Sequence, residues 1–276
     1  MSAGAMPRLP RRRRRRTRAE RRRGLVALLP QLLTTGNLAS GFYSIALTAQ
    51  GDYWQAAVLI FVAGFFDMTD GRVARFTRAT SRFGAEYDTI ADTVSFGVAP
   101  ALLAYGAGGL AGLGWTGWVL AFFYAVCAAL RLARFNVSPE RYRGRFDGLS
   151  SPGAAGMVIS SVWFGSWLGE AGVAFSLPAL LPGLGVALLG LLMVSPIPYV
   201  SFKGVNFWAS YRRVVVVVLA CVVIASKPQV TLFLLAIVYV VSGPCGWFWR
   251  RRTGRELEEN PPPQALPPRP EFSRER

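Results

Sequence analysis

Long apolar stretches alternate with short polar connections from about residue 25 to residue 250 of this chain. A helix needs about 20 mostly apolar residues to cross a bilayer, and stretches of that length recur throughout this interval. The pattern therefore predicts an all-α polytopic membrane protein with about eight transmembrane helices. The expected ranges are 31–50, 53–76, 84–107, 114–135, 153–170, 174–194, 210–226 and 229–249.

The two ends of the chain differ from this central part. Residues 1–24 are rich in arginine and have no apolar periodicity, whereas residues 251–276 are charged and rich in proline. We expect both to be disordered cytoplasmic tails that flank a transmembrane domain of residues 25–250. An arginine run beside a membrane helix is typical of a segment that attracts anionic lipid head groups.

Basic residues concentrate in alternate connections between the predicted helices. Such an asymmetry places the basic connections in the cytoplasm, which predicts cytoplasmic termini and an even number of spans. The arginine-rich composition suggests a GC-rich bacterium, so we expect the chain in a bacterial cytoplasmic membrane. The basic connections and the C-terminal tail contain Arg72, Arg75, Arg78, Arg82, Arg131, Arg134, Arg141, Arg143, Arg145, Lys203, Arg212, Arg213, Arg250, Arg251, Arg252 and Arg255. The other connections carry Asp52, Glu170 and Lys227.

The composition limits the chemistry that the chain can perform. Charged residues make up only 17% of the sequence, and the 31 basic residues against 15 acidic ones give a net charge of +16. The sequence contains no histidine, which excludes a Ser-His-Asp triad and a histidine-ligated zinc ion. Any catalytic base is therefore expected to be a carboxylate or a group that serves this role more rarely.

Four aspartates interrupt the apolar pattern at the end of the second predicted helix and in the third. Asp67 and Asp70 are three residues apart, and Asp88 and Asp92 are four apart, so each pair lies on one face of its helix. An antiparallel hairpin would bring the two pairs face to face. Because carboxylates at membrane depth are costly, we interpret them as functional. An all-oxygen cage of this kind favours Mg²⁺ or Mn²⁺, and four carboxylates could hold two ions.

The residues between the aspartates are suited to a phosphate ligand. Gly71, Ala74 and Gly84 lack bulk, so a substrate could approach the helix backbones closely, and Arg75 could bind a phosphate oxygen. A cation transporter that uses the aspartates as an ion path is an alternative. That alternative predicts acids spread over several helices and gives no reason for Arg75 or for the three small residues.

The sequence Asp67-x2-Asp70-Gly71-x2-Ala74-Arg75-x8-Gly84-x3-Asp88-x3-Asp92 resembles the complete motif of the CDP-alcohol phosphatidyltransferases. The resemblance implies that an acceptor hydroxyl attacks the phosphorus bonded to the lipid alcohol and that CMP leaves. It implies a homodimer and the following roles. Asp67, Asp70, Asp88 and Asp92 would be metal ligands, Asp92 also the general base, and Gly71, Ala74, Arg75 and Gly84 would line the CDP pocket.

Two further segments resemble the bacterial and archaeal branch of this family that uses L-serine as acceptor and CDP-diacylglycerol as donor. One is the start of the first predicted helix, with Thr34, Thr35 and Asn37 before Gly41. The other is the loop Phe146-Asp147-Gly148-Leu149-Ser150-Ser151-Pro152, in which Ser150 stands where that branch usually has proline. Glycerol 3-phosphate and inositol phosphate remain alternative acceptors, because arginines would suit them equally well.

Candidate substrate contacts follow from these two segments. Thr34 and Asn37 are predicted to contact the CDP-lipid, with polar packing between helices as the alternative. The predicted acceptor contacts are Arg131, Arg134, Asn136, Arg143 and Arg145. We expect no nucleic-acid partner, because the arginine run lacks the interleaved aromatic residues that would stack on bases. A nucleic-acid binder would lose its function on deletion of residues 1–23, whereas an enzyme would keep its activity.

Overall fold

The structure, a computed structural model, describes residues 18–77, 81–137, 145–172, 178–200 and 226–253. These residues form long helices and one short antiparallel sheet, in agreement with a helical membrane protein. The helices are α1 (Arg18–Gln50), α2 (Tyr53–Thr77), α3 (Arg82–Asp92), a π-helix (Thr93–Val98), α4 (Ala99–Ala107), α5 (Trp115–Val137), α6 (Ser151–Glu170), α7 (Leu180–Val194) and α8 (Pro228–Thr253).

Three helical stretches among the described residues are long and apolar enough to cross a bilayer. They are Arg82–Ala107, Trp115–Val137 and Pro228–Thr253, whereas Leu180–Val194 is apolar but shorter. On α8, large apolar side chains such as Leu234 and Val238 point outward and are more than half exposed. Outward-facing apolar surface of this extent is expected where lipid replaces water. The chain is therefore a membrane protein, and the total of eight spans stays a prediction.

The predicted helical ranges agree with the described helices except at two starts. α1 begins at Arg18, well before the predicted start at residue 31, and the sixth predicted helix begins late. Residues 174–194 were expected to form one helix, but α7 begins only at Leu180. Pro178 and Pro182 explain the later start, because proline disrupts a helix interior yet is tolerated in a first turn. The predicted disorder of the tails does not hold for residues 18–24, which belong to α1, or for residues 251–253, which end α8. Residues 1–17, residues 254–276 and nearly all of the predicted helix at 210–226 lie outside the described residues.

α1 and α2 form a closely packed hairpin. Gly51 turns the chain between them with a φ of 86°, a conformation that glycine adopts without a Cβ penalty. Ala56, Ala57 and Ala63 on α2 are fully buried, and the Ser44 hydroxyl on α1 donates to the Ala56 carbonyl oxygen at 2.8 Å. This close packing carries the C-terminal part of α2 alongside the middle of α1.

α3, the π-helix and α4 follow one another without a break and form one continuous helical segment. Ser81 caps α3, since its Oγ accepts the Gly84 N–H at 2.9 Å. The π-helix begins directly after Asp92 and contains buried Ser95 and Phe96. Single π turns inside α-helices often occur at functional sites, where they alter the direction of the side chains around them.

A small sheet joins two parts of the chain that lie far apart in sequence. Strand β1 (Arg145–Asp147) pairs antiparallel with β2 (Pro198–Val200). The Gly148 N–H then donates to the Ile197 carbonyl oxygen at 2.9 Å. Gly148 has a φ of 80°, and a Cβ there would collide with the Met193 carbonyl. The loop before α6 is thereby fixed to the end of α7, a connection that the sequence did not predict.

Candidate active site

The structure brings three of the four aspartates into one cluster. Asp67 and Asp70 lie in the C-terminal half of α2, and Asp88 lies on the facing side of α3. One carboxylate oxygen from each of the three lies within 4.8 Å of the other two. Asp67, Asp70 and Asp88 therefore lie together as the sequence predicted, whereas Asp92 does not belong to this group.

The aspartate cluster fits a divalent cation. Asp70 is buried at 4% exposure, and Asp88 Oδ1 is buried without a hydrogen-bond partner among the described residues. A buried carboxylate oxygen is costly unless another group satisfies it, and a bound cation would do so. Because the donors are all oxygens, the cluster suits Mg²⁺ or Mn²⁺. The number of ions stays a prediction.

Asp92 lies beside this cluster, one helical turn further along the chain. It is near enough to Asp67, Asp70 and Asp88 to interact electrostatically with all three, although it does not belong to the group that meets at 4.8 Å. Asn37, which is fully buried on α1, donates from Nδ2 to Asp92 Oδ1 at 2.9 Å. The predicted roles of Asp92 as base and as fourth ligand stay predictions.

Thr34 and Asn37, the predicted CDP-lipid contacts, both bind aspartates. Thr34 Oγ1 donates to Asp70 Oδ2 at 2.8 Å, just as Asn37 donates to Asp92. Both residues are buried on the face of α1 that packs against the site. This arrangement agrees with the alternative of polar packing between helices, and their contact with the CDP-lipid stays a prediction.

Two polar residues that were not identified from the sequence support the same region. Ser95 in the π-helix donates to the Asn37 carbonyl oxygen at 3.0 Å, and Gly41 permits this approach because a Cβ there would collide with Ser95. Tyr87 on α3 shares a hydrogen bond of 3.0 Å with Thr35. The one sequence signal that could have identified Ser95 is a hydroxyl residue within an apolar run.

The predicted CDP-pocket residues lie at the same end of the hairpin. A Cβ built on Gly71 would meet no atom within 4 Å, so Gly71 borders open space beside α2. Arg75 is exposed and its Nε donates to the Gly71 carbonyl oxygen at 3.0 Å. Gly84 occupies the first turn of α3 next to the capping Ser81, and Ala74 is half-buried. Their role in binding CDP stays a prediction.

Among the predicted acceptor contacts, Arg131 lies near Asp92 and interacts with it electrostatically. Its Nη1 donates to the Ser151 hydroxyl at the start of α6 at 3.0 Å. Its Nε is buried without a hydrogen-bond partner among the described residues. Asn37 Oδ1, Asp88 Oδ1 and Arg131 Nε are thus three buried, unpartnered polar atoms around Asp92, a pattern that points to a bound ligand or ion.

The other predicted acceptor contacts bind parts of the protein itself. Arg134 forms an ion pair with Asp147 at 3.3 Å and also donates to the Val194 carbonyl oxygen. Asn136 donates to Thr89 Oγ1 at 2.8 Å, which ties the end of α5 to α3. Arg143 lies outside the described residues, as does the side chain of Arg145, whose backbone belongs to β1.

Comparison with known proteins assigns the family. The sequence profile of the CDP-alcohol phosphatidyltransferases matches residues 27–194, which include the whole aspartate motif. The chain belongs to this family.

Several relatives are similar over most of their length. A CDP-diacylglycerol–serine O-phosphatidyltransferase of Helicobacter pylori is 33% identical over 80% of this chain and 92% of its own. One of Mycobacterium tuberculosis is 32% identical over 87% of this chain and 84% of its own. An archaetidylserine synthase of Methanothermobacter thermautotrophicus is 35% identical over 64% of this chain and 72% of its own.

Proposed function

We propose that this chain transfers the phosphatidyl group of CDP-diacylglycerol to L-serine, giving phosphatidylserine and CMP. The observation that carries the proposal is the partly buried, oxygen-only cluster of Asp67, Asp70 and Asp88 beside Asp92. The choice of donor and acceptor rests on the relatives, whose names specify transfer from CDP-diacylglycerol to serine.

The reaction forms one bond and breaks one. The serine hydroxyl oxygen bonds to the phosphorus that carries diacylglycerol, and the bond from that phosphorus to the oxygen of CMP breaks, so CMP leaves with the electron pair. Asp92 accepts the hydroxyl proton as general base. Asp67, Asp70 and Asp88 would hold a divalent cation, which would supply positive charge for the diphosphate. Thr34 and Asn37 keep the carboxylates of Asp70 and Asp92 in place.

Among the predicted acceptor contacts that the structure describes, Arg131 is the best placed to bind the carboxylate of serine. It lies near Asp92, so an acceptor held by its guanidinium would present its hydroxyl close to the proposed base. The N-terminus of α6, where Ser151 meets Arg131, adds a favourable field for an anion. A planar guanidinium can bind both oxygens of a carboxylate at once, which would also orient the amino acid.

The membrane arrangement belongs to the same proposal. The charge asymmetry supports cytoplasmic termini and an aspartate cluster that opens toward the cytoplasm, where CMP and serine are soluble. The lipid tails would stay in the bilayer of a bacterial cytoplasmic membrane. The arginine-rich N-terminus would attract anionic lipids, and the family resemblance supports a homodimer.

Acceptor choice can be tested by measuring CMP release from CDP-diacylglycerol by the purified full-length protein in detergent. With Mn²⁺ or Mg²⁺ present, we expect release with L-serine and none above background with glycerol 3-phosphate or inositol phosphate. Adding EDTA should stop the reaction, and excess metal should restore it. Release with one of the other acceptors would overturn the assignment of serine, and metal-independent release would overturn the role of the aspartate cluster.

Replacing Arg131 with lysine should raise the KM for L-serine by about 10- to 100-fold. The expected size follows from the loss of a charged, two-point hydrogen bond. The KM for CDP-diacylglycerol should stay within about twofold, because Arg131 is assigned to the acceptor alone. Arg251→Lys in the last turns of α8 is the matched control, since Arg251 packs over Trp247 at 4.2 Å. An unchanged serine KM in Arg131→Lys would contradict the assignment.

A further inference from the structure

Ser150 makes two contacts that connect separate helices. It caps α6, because its Oγ accepts the Gly153 N–H at 3.2 Å. The same oxygen lies 3.2 Å from the hydroxyl oxygen of Tyr239 on α8, at hydrogen-bonding distance. Ser150 is also the position at which the loop departs from the pattern of its branch. The departure therefore coincides with a contact to α8.

The Tyr239 ring packs directly on the first turn of α6. A Cβ built on Gly153 would lie 2.6 Å from Tyr239 Cε1, so only glycine leaves room for the ring. A second tyrosine holds α8 nearby, since Tyr199 on β2 donates to the Val240 carbonyl oxygen at 2.9 Å. The two tyrosine rings lie 5.7 Å apart between centroids. Tyr239 is thus held in a packed environment.

The residue next to Ser150 contacts Arg131, so the contact between Ser150 and Tyr239 is connected to Arg131 through the chain. Ser151, the next residue, is fully buried and accepts a hydrogen bond from Arg131 Nη1 at 3.0 Å. Arg131 also lies near both Tyr239 and Asp92. A continuous set of contacts therefore runs from α8 through the first turn of α6 to the guanidinium beside Asp92.

We propose that Tyr239 and Ser150 are positioning residues that orient Arg131 for the carboxylate of the amino-acid acceptor. This inference rests on the proposed function, in which Arg131 binds that carboxylate. A bidentate contact tolerates only small displacements of the guanidinium. Loss of the contact between Tyr239 and Ser150 should therefore weaken acceptor binding more than it slows the transfer step. Since α8 lies beyond residues 27–194, an element outside the family-matched region tunes acceptor recognition in this chain.

The first variant is Tyr239→Phe, which removes the hydroxyl and keeps the ring on Gly153. We expect the KM for L-serine to rise about three- to tenfold, the effect of losing one neutral hydrogen bond. The kcat and the KM for CDP-diacylglycerol should stay within about twofold. Tyr43→Phe is the matched control, because Tyr43 is an exposed tyrosine on α1.

Substitutions at Ser150 test the other side of the contact. Ser150→Ala should raise the serine KM to a similar extent, whereas Ser150→Thr keeps a hydroxyl and should restore a value near that of the parent protein. The double variant Ser150→Ala/Tyr239→Phe should resemble Ser150→Ala alone, because that variant already removes the contact with Tyr239 together with the cap of α6. Additive effects in the double variant would contradict a shared contact.

The outcomes separate this inference from the proposed function. If Arg131→Lys raises the serine KM and Tyr239→Phe does not, the positioning role is wrong and the acceptor site stands. If neither variant changes it, the acceptor site itself is wrong. A Tyr239→Phe protein with a lower melting temperature, a lower kcat and a raised KM for both substrates would show a general structural role and would overturn the inference.

Discussion

Replacing Asp88 with asparagine is expected to reduce CMP release at least about a thousandfold. Asp88 contributes one of the three clustered oxygens, and its Oδ1 is buried without a hydrogen-bond partner among the described residues. An amide is a weaker ligand and carries no negative charge. A metal contributes several kcal/mol to phosphoryl-type transfer, and about 1.4 kcal/mol corresponds to a tenfold change in rate.

The loss of activity in Asp88→Asn should arise from weaker metal binding. Titration of the purified protein with Mn²⁺, followed by electron paramagnetic resonance, should show weakened binding in Asp88→Asn. Raised Mn²⁺ should recover part of the activity. Asp52→Asn is the matched control, since Asp52 is exposed at the opposite end of α2, about 20 Å along the helix from Asp67. If Asp88→Asn kept the Mn²⁺ affinity and the kcat of the parent protein, the aspartate cluster would be ruled out as the metal site.

The cluster could be predicted because its geometry is almost entirely local. Spacings of three and four residues fix which aspartates share a helix face, and a short connection makes the two helices antiparallel neighbours. The charge of the side chains and the absence of histidine then limit the ligand chemistry. Asp67, Asp70 and Asp88 accordingly lie together as expected, within one cluster.

The position of Asp92 relative to the other three could not be predicted in the same way. It depends on how the end of α3 and the π-helix after it pack against α1, where Asn37 binds Asp92. The bond from Ser95 to the Asn37 carbonyl, and the space that Gly41 leaves for it, join residues more than fifty positions apart. Helical periodicity carries no information about such contacts between distant segments.

The surroundings of Arg131 could not be predicted from the sequence, because they also consist of segments that lie far apart in the chain. Its hydrogen-bond partner Ser151 lies at the start of α6, and Tyr239 of α8 lies nearby. The loop before α6 is fixed by a sheet whose strands are about fifty residues apart. A three-residue strand has too little apolar alternation to be recognised. Tyr239 looks like any other residue of an apolar helix in the sequence, so only the packing on Gly153 identifies it.

The second large effect is expected at Asp92. Asp92→Asn should lower kcat by about 10²- to 10⁴-fold, the range typical for loss of a general base. The change keeps the size of the side chain, and the amide oxygen can still accept the hydrogen bond that Asn37 donates at 2.9 Å. The KM for CDP-diacylglycerol and the affinity for Mn²⁺ should therefore stay within about twofold of the parent protein.

Comparing kcat with Mn²⁺ affinity distinguishes the two roles predicted for Asp92. A base outside the metal shell predicts a loss of kcat alone, since Asp67, Asp70 and Asp88 would still hold the cation. A fourth ligand predicts that Mn²⁺ affinity falls together with kcat, as in Asp88→Asn. Full turnover in Asp92→Asn, with Asp52→Asn as the control, would exclude both roles. The proton of the acceptor hydroxyl would then have to leave through another group or through water.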